Sequence, residues 1–186
     1  PRIHAAIPLN PYRLYGRRVH TGYMTTPDHP DFYDADVDAQ LRAFVEEHRE
    51  MIASSLDGLS ESEARRQLVP SKTTLLGLVK HATFVERVWF EEARTGISRA
   101  ESGLPAGPDE SFVLAPEDTI ETVRSAFETA CEASRAAVRS THGKDIWSGN
   151  RRGPLTLHWI MMQVLREHAQ HCGHADILRE QILDAR

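Results

Sequence analysis

The sequence is poor in several features that mark particular classes of protein. It has only two cysteines, Cys131 and Cys172, in 186 residues, so a framework of disulfides is excluded. No apolar run approaches the roughly 18 residues of a membrane span. An excess of basic charge is missing too, since the net charge is −5, and this disfavours a nucleic-acid-binding surface. These absences favour a cytoplasmic protein whose cysteines are buried, reduced thiols.

The remaining composition is that of a globular domain, with 40% hydrophobic and 26% charged residues. Residues 1–23 differ because they carry four arginines and no acidic residue. They also lack the apolar region of a secretory signal. We interpret them as an N-terminal extension, with Met24 as a suitable natural start, and expect one domain over residues 24–186.

Apolar residues recur at helical spacing in four long segments. The predicted helices span roughly residues 36–56, 72–95 and 118–140, and a last segment that begins near Pro154. The predicted buried face of the first helix is Val37, Leu41, Phe44, His48 and Met51. No alternation typical of strands is found. The pattern predicts an all-α four-helix bundle with long crossover loops at residues 97–116 and 141–153, which we expect to border a site.

One stripe of the last predicted helix contains ionisable residues where apolar ones are expected. Its members are Leu157, Ile160, Val164, Glu167, His171, His174, Leu178 and Ile182. A carboxylate and imidazoles in an apolar stripe cost several kcal/mol unless they are paired. A metal ion would pair with them.

The second predicted helix supplies a further histidine. His81 lies in the stripe Thr74, Leu78, His81, Val85 and Val88. Glu167 and His171 are one helical turn apart, so both can face one ion. With His81 they would form a set of three ligands and an open coordination position, as catalytic zinc sites have. His48 is interpreted as a core or pocket-lining residue.

Three alternatives remain open on the pattern alone. Glu167 and His81 could form a buried ion pair, with His171 hydrogen-bonded to a neighbour. His168 and Cys172, also one turn apart, could bind zinc instead. Finally, His171 and His174 could both bind the metal with His81, while Glu167 supports them from outside.

Several runs of residues resemble the DinB-like superfamily over roughly residues 36–184. They are Leu56-Asp57-Gly58-Leu59-Ser60, Glu63-Ala64-Arg65-Arg66, Thr74-Leu75-Leu76-Gly77-Leu78-Val79-Lys80-His81 and His171-Cys172-Gly173-His174-Ala175-Asp176-Ile177-Leu178-Arg179-Glu180. The resemblance, closest to the small single-domain branch, implies a four-helix bundle with a divalent metal near one end of its core.

Many members of that superfamily bind metal through three histidines, whereas Glu167 stands at one of those places here. In this the sequence is similar to the metal-binding domain of mycothiol-dependent maleylpyruvate isomerases, which use a His, a Glu and a His. The similarity implies His81, Glu167 and His171 as ligands. Nothing in the sequence corresponds to the second, C-terminal domain of those isomerases.

The resemblance further implies S-transfer or isomerisation with a low-molecular-weight thiol such as mycothiol, on an electrophilic small molecule. Zinc is the expected metal, with nickel and manganese as alternatives. His174 would act as general base or orient a ligand. Other hypotheses are a non-catalytic stress protein that binds metal or a small molecule, and a structural bundle that dimerises. An exposed bundle face would allow a homodimer, and no nucleic-acid or membrane partner is expected.

Overall fold

The computed structural model describes residues 32–186, and the predicted extension of residues 1–23 lies outside this range. The helices in chain order are α1 (Val37–Ser54), α2 (Glu61–Ala64), α3 (Leu75–Glu86), a π-helical turn (Arg87–Glu92), α4 (Ala93–Thr95), α5 (Pro108–Ser111), α6 (Ile120–Val138) and α7 (Leu157–Leu183). Two-residue strands β1 (Ile146–Trp147) and β2 (Leu155–Thr156) pair antiparallel. The predicted all-α class is confirmed.

The long helices pack along one another around an apolar core. Helix α1 packs mainly on α7, while α3 packs on both α6 and α7. The buried apolar side chains form two clusters, one containing Trp89, Leu157 and Ile160 and the other containing Leu76, Phe127 and Leu178. This packing brings the predicted histidine of α3 against the polar stripe of α7. No helix within residues 32–186 is long and apolar enough to cross a membrane.

Side-chain caps fix where the long helices begin. Thr74 accepts a hydrogen bond from the backbone of Gly77 before α3, and Thr156 accepts one from Trp159 before α7. Each bond satisfies a backbone N–H that has no partner inside the helix. Gly96 ends the second long segment with a φ of 72°, as predicted. Pro154 does not start α7, because residues 155–156 first pair with β1.

The predicted buried face of α1 is confirmed at Leu41 but is wrong at Val37 and Phe44. Val37 is 59% exposed and Phe44 is 36% exposed, whereas Val45 and Ile52 are buried. Arg49 is also buried, because its guanidinium donates hydrogen bonds of 2.9 and 2.6 Å to the carboxylate of Glu86. A pattern of apolar residues cannot predict a buried arginine, because such a pattern assigns charged residues to the surface.

The two predicted loops contact different parts of the second long helical segment. The loop at residues 97–116 contains α5, which packs on α3. The loop at residues 141–153 contains β1, and its Gly149 donates a hydrogen bond of 2.9 Å to the carbonyl of Ala93. Ala93 is twelve residues beyond His81, or about 18 Å along a helix. The first loop therefore borders the predicted site, whereas the contacts of the second lie near the opposite end of the helical segment.

Candidate metal centre

The structure brings together His81, Glu167 and His171. Each offers one ligand atom, and the three atoms lie within 4.8 Å of one another. Within residues 32–186, this is the one group of three or more histidines, cysteines or acidic residues with ligand atoms so close. The single turn between Glu167 and His171 places both on one face of α7, and α3 adds His81 from the neighbouring helix.

His171 is one of the two buried members of this group. Its side chain belongs to a residue only 8% exposed, and neither ring nitrogen has a hydrogen-bond partner in the described part of the chain. The nearest carboxylate oxygen, Oε2 of Glu167, is 3.7 Å from Nε2, which is too far for a hydrogen bond. An unsatisfied buried polar atom costs about 1–3 kcal/mol. A metal ion at this place would bind one of the two nitrogens and remove the cost at that atom, so the residues fit a metal.

His81 is held by the segment that contains α5. Its Nδ1 lies 2.6 Å from the hydroxyl of Ser111, and its ring stacks on that of Phe112 with centroids 4.0 Å apart and planes at 12°. Burial, with a smaller effect of the facing His171, lowers the pKa of His81 to about 3. The imidazole is therefore neutral near pH 7, as a metal ligand must be.

Glu167 is the most accessible of the three, with 28% of its side chain exposed. The neighbouring His171 lowers the pKa of Glu167 below its ordinary value and outweighs the opposing effect of burial. Gln163, one turn earlier on α7, donates a hydrogen bond of 2.7 Å to Oε1 of Glu167. Gln163 was not predicted as a site residue, although its spacing of four residues from Glu167 was a usable signal.

The alternative of a His81–Glu167 ion pair is wrong. It requires a hydrogen-bonded His171, and that residue has no such partner within residues 32–186. Nδ1 of His81 contacts Ser111 instead of a carboxylate.

The alternative ligand sets are not assembled either. The fully buried His168 donates to or accepts from Glu86 at 2.7 Å, whereas Cys172 donates to the carbonyl of His48. Nδ1 of His48 lies 2.7 Å from the carbonyl of Phe44 within α1. His174 is exposed, with its ring centroid 5.9 Å from that of His171.

Two imidazoles and one carboxylate form a donor set typical of zinc and of other divalent transition metals. With three ligands from the chain, an ion bound here would have a further position for an exogenous ligand, as in catalytic sites. Both cysteines are free and buried, as predicted. Burial raises the pKa of the Cys172 thiol to about 12, so this residue is a poor nucleophile.

Comparison with known proteins identifies the family of the chain. A search of curated proteins finds no match. A model of the mycothiol-S-transferase family matches residues 40–184, a range that contains all three grouped residues and nearly all of the long helices. This family is DinB-like, so the resemblance found in the sequence is confirmed. Because the match covers well over half of the chain, the protein belongs to the mycothiol-S-transferase family.

Proposed function

We propose that the protein is a divalent-metal-dependent S-transferase that joins a low-molecular-weight thiol, mycothiol or a close analogue, to an electrophilic small molecule. Membership of the family supports the thiol chemistry. The observation that carries the metal dependence is the buried His171, whose two nitrogens have no hydrogen-bond partner within the described range, beside His81 and Glu167.

In this proposal His81, Glu167 and His171 hold the metal, with zinc expected first. When bound, the ion supplies a Lewis acid that favours the thiolate form of a thiol at the open position. The neutral imidazoles add no charge, and the carboxylate adds one negative charge. The site would therefore keep a net positive charge that attracts a thiolate.

The surrounding residues prepare the ligands before a substrate arrives. Gln163 fixes one carboxylate oxygen of Glu167 by its hydrogen bond of 2.7 Å. Burial keeps His81 neutral, with a pKa of about 3. Such partners of metal ligands orient them and tune their basicity.

His174 is proposed to assist the reaction from the rim of the site. It lies on the exposed side of α7, one turn beyond His171. From there it could orient the thiol or accept the proton that the thiol releases. The thiolate sulfur would then form a bond to the electrophilic carbon, and the leaving group would depart with the electrons of the bond that breaks.

The proposal also covers the extent of the domain and the location of the protein in the cell. We propose that residues 24–186 act as one domain. The activity proposed is S-transfer, because this is the chemistry in the name of the family. A cytoplasmic location suits a thiol cosubstrate that must stay reduced, and it suits the two free, buried cysteines.

Metal analysis of the protein purified without chelator tests the first half of the proposal. We expect one divalent ion per chain in the wild type and loss of that ion in Glu167→Ala and His81→Ala. His142→Ala, which replaces an exposed loop histidine, is the matched control and should keep the ion. A folded wild type that neither contains nor takes up a divalent metal would refute the metal dependence.

Thiol consumption with a model electrophile tests the second half. The metal-loaded wild type should consume thiol faster than the metal-free protein, and His171→Ala should lose this acceleration. A metal-loaded protein without any acceleration would favour the non-catalytic metal-binding hypothesis. An equal rate in His171→Ala would show that the reaction occurs elsewhere.

A further inference from the structure

The hydroxyl of Ser111 has two close neighbours and a single proton. Its Oγ lies 2.5 Å from the carbonyl oxygen of Pro108 and 2.6 Å from Nδ1 of His81. A carbonyl oxygen can only accept, so the hydroxyl proton belongs to the bond with Pro108. Oγ must then accept the second hydrogen bond. The donor of that bond is the N–H at Nδ1 of His81.

This direction determines the tautomer of His81. A neutral imidazole carries one ring proton, and if Nδ1 carries it, Nε2 presents a free lone pair. We propose that Ser111 is a positioning residue that holds His81 in the Nδ1–H tautomer and thereby reserves Nε2 as the ligand atom. The consequence for metal binding rests on the proposed function above, whereas the tautomer itself does not.

The segment that carries Ser111 is held against α3 by the two residues that follow the serine. We call residues 108–113 the Ser111 arm. Beyond Ser111, the ring of Phe112 stacks on the ring of His81, and the carbonyl of Val113 accepts a hydrogen bond of 2.9 Å from Nζ of Lys80. The stacked ring resists rotation of the imidazole, so its two nitrogens cannot exchange places.

Solvent cannot easily replace the hydroxyl. Ser111 is 1% exposed and His81 is 4% exposed, so Nδ1 has little access to bulk water. Without the serine oxygen, an N–H at Nδ1 would be buried and unpaired, which favours the other tautomer. In that tautomer Nε2 carries the proton and cannot bind a metal until the proton moves.

The experiment compares Ser111→Ala with the wild type by NMR of the histidine ring nitrogens in metal-free protein at pH 7. The signals of His81 are assigned with His81→Asn. We expect the Nδ1–H tautomer in the wild type and a large fraction of Nε2–H in Ser111→Ala. Competition with a zinc chelator should show zinc affinity about 10–100-fold weaker in Ser111→Ala. Ser102→Ala, which removes a loop hydroxyl bonded to the carbonyl of Ser98, should change neither quantity.

A second variant separates the hydroxyl from the packing of the arm. Phe112→Leu keeps Ser111 and should keep the Nδ1–H tautomer, even if zinc affinity falls. The inference is overturned if wild-type His81 carries its proton on Nε2, or if Ser111→Ala leaves the tautomer unchanged. A wild type that binds no metal, with the expected tautomers in both proteins, would refute the proposed function while supporting the assignment of Ser111.

Discussion

Two buried histidines of α7 show how their partners separate a structural role from a ligand role. His168 is fully buried, and its Nε2 lies 2.7 Å from Oε1 of Glu86. His171, one turn further, is almost as buried and has neither nitrogen hydrogen-bonded within the described range. The chain gives the first ring one partner and leaves its Nδ1 unpaired, whereas it gives the second ring no partner at either nitrogen. The sequence spacing of the two histidines could not make this distinction.

Glu86 is the centre of a buried network that joins α1, α3 and α7. Its carboxylate accepts hydrogen bonds from Arg49 and faces His168. Burial alone would raise the pKa of Glu86, but the charge and hydrogen bonds of Arg49, with those of His168, outweigh it and lower the pKa to about 2. The network thus stabilises the fold one turn or so from the proposed ligands.

Replacement of Glu86 by Gln should destabilise the metal-free protein by roughly 3–5 kcal/mol at pH 7, because it leaves the buried Arg49 without its counter-ion. Urea unfolding measures this free energy. Glu128→Gln, at an exposed site on α6, should change it little. Equal stability of Glu86→Gln and the wild type at pH 7 would contradict the assigned role.

The same pair of proteins should differ less in acid. The folded-state pKa of Glu86 is lower than its ordinary value of 4.5, so its ionisation stabilises the fold above that value. The contribution is lost as the pH falls from about 4.5 towards about 2. The gap in unfolding free energy between wild type and Glu86→Gln should therefore narrow over this range. A difference in unfolding free energy that stayed constant between pH 6 and pH 3 would contradict the role assigned to the Glu86 carboxylate.

At the scale of elements, local signals predicted the limits of the helices well. They predicted irregular turns and buried faces within the helices less well. Capping residues and Gly96 place the ends of the long helices near their predicted limits. The π-helical turn at Arg87–Glu92 was not predicted. Its residues are as helical in pattern as those around them, and the sequence pattern does not contain its contacts with α6 and α7. The buried face of α1 also differs from the predicted one, because the burial of Arg49 depends on its tertiary contact with Glu86.

The Ser111 arm shows the limit of sequence patterns more clearly. Proline and glycine punctuation predicted a loop at residues 97–116, and its border with the site was expected. The contact of Ser111 with His81 could not be predicted, because the residues are 30 positions apart and a lone serine gives no signal. The complementary feature on α3 is Gly77, one turn before His81, where the carbonyl of Phe112 approaches the helix closely.

Gly77→Ala should displace the Ser111 arm. An added Cβ would lie 2.9 Å from the carbonyl oxygen of Phe112 and 3.0 Å from Oγ1 of Thr74, so the backbone of the arm must shift. We expect weaker zinc binding and a partial loss of the Nδ1–H tautomer of His81, although Ser111 itself is unchanged. Chelator competition and ring-nitrogen NMR measure the two effects.

Gly173→Ala is the matched control for this prediction. Gly173 is also in a helix, and a Cβ there meets nothing within 4 Å. Its replacement should leave the tautomer unchanged and should stabilise the fold slightly, because alanine favours a helix over glycine by about 1 kcal/mol. Wild-type zinc affinity in Gly77→Ala would show that the arm tolerates the displacement or does not position His81.

For the whole molecule, the proposed centre links elements that are far apart in the sequence. His81 comes from α3, Glu167 and His171 come from α7, and the arm from the long loop supports His81. The grouping of these three residues could be predicted because a helical stripe with ionisable members is a local signal, and the family resemblance favoured one choice among the alternatives. The supports of the ligands are tertiary contacts, and these appear only in the folded chain.

Because the ligands come together only in the folded chain, a bound metal must stabilise the fold. An ion present at about a thousand times its dissociation constant adds about 4 kcal/mol. For a chain of this length that corresponds to a rise in Tm of roughly 10 °C. Thermal unfolding followed by circular dichroism, with the metal-free protein before and after addition of zinc, measures the change. Glu167→Ala should show a much smaller rise under the same conditions, since the two remaining imidazoles bind zinc weakly. The same rise in both proteins would place the stabilising ion outside the His81–Glu167–His171 group, and no rise in the wild type would contradict a metal bridge between α3 and α7.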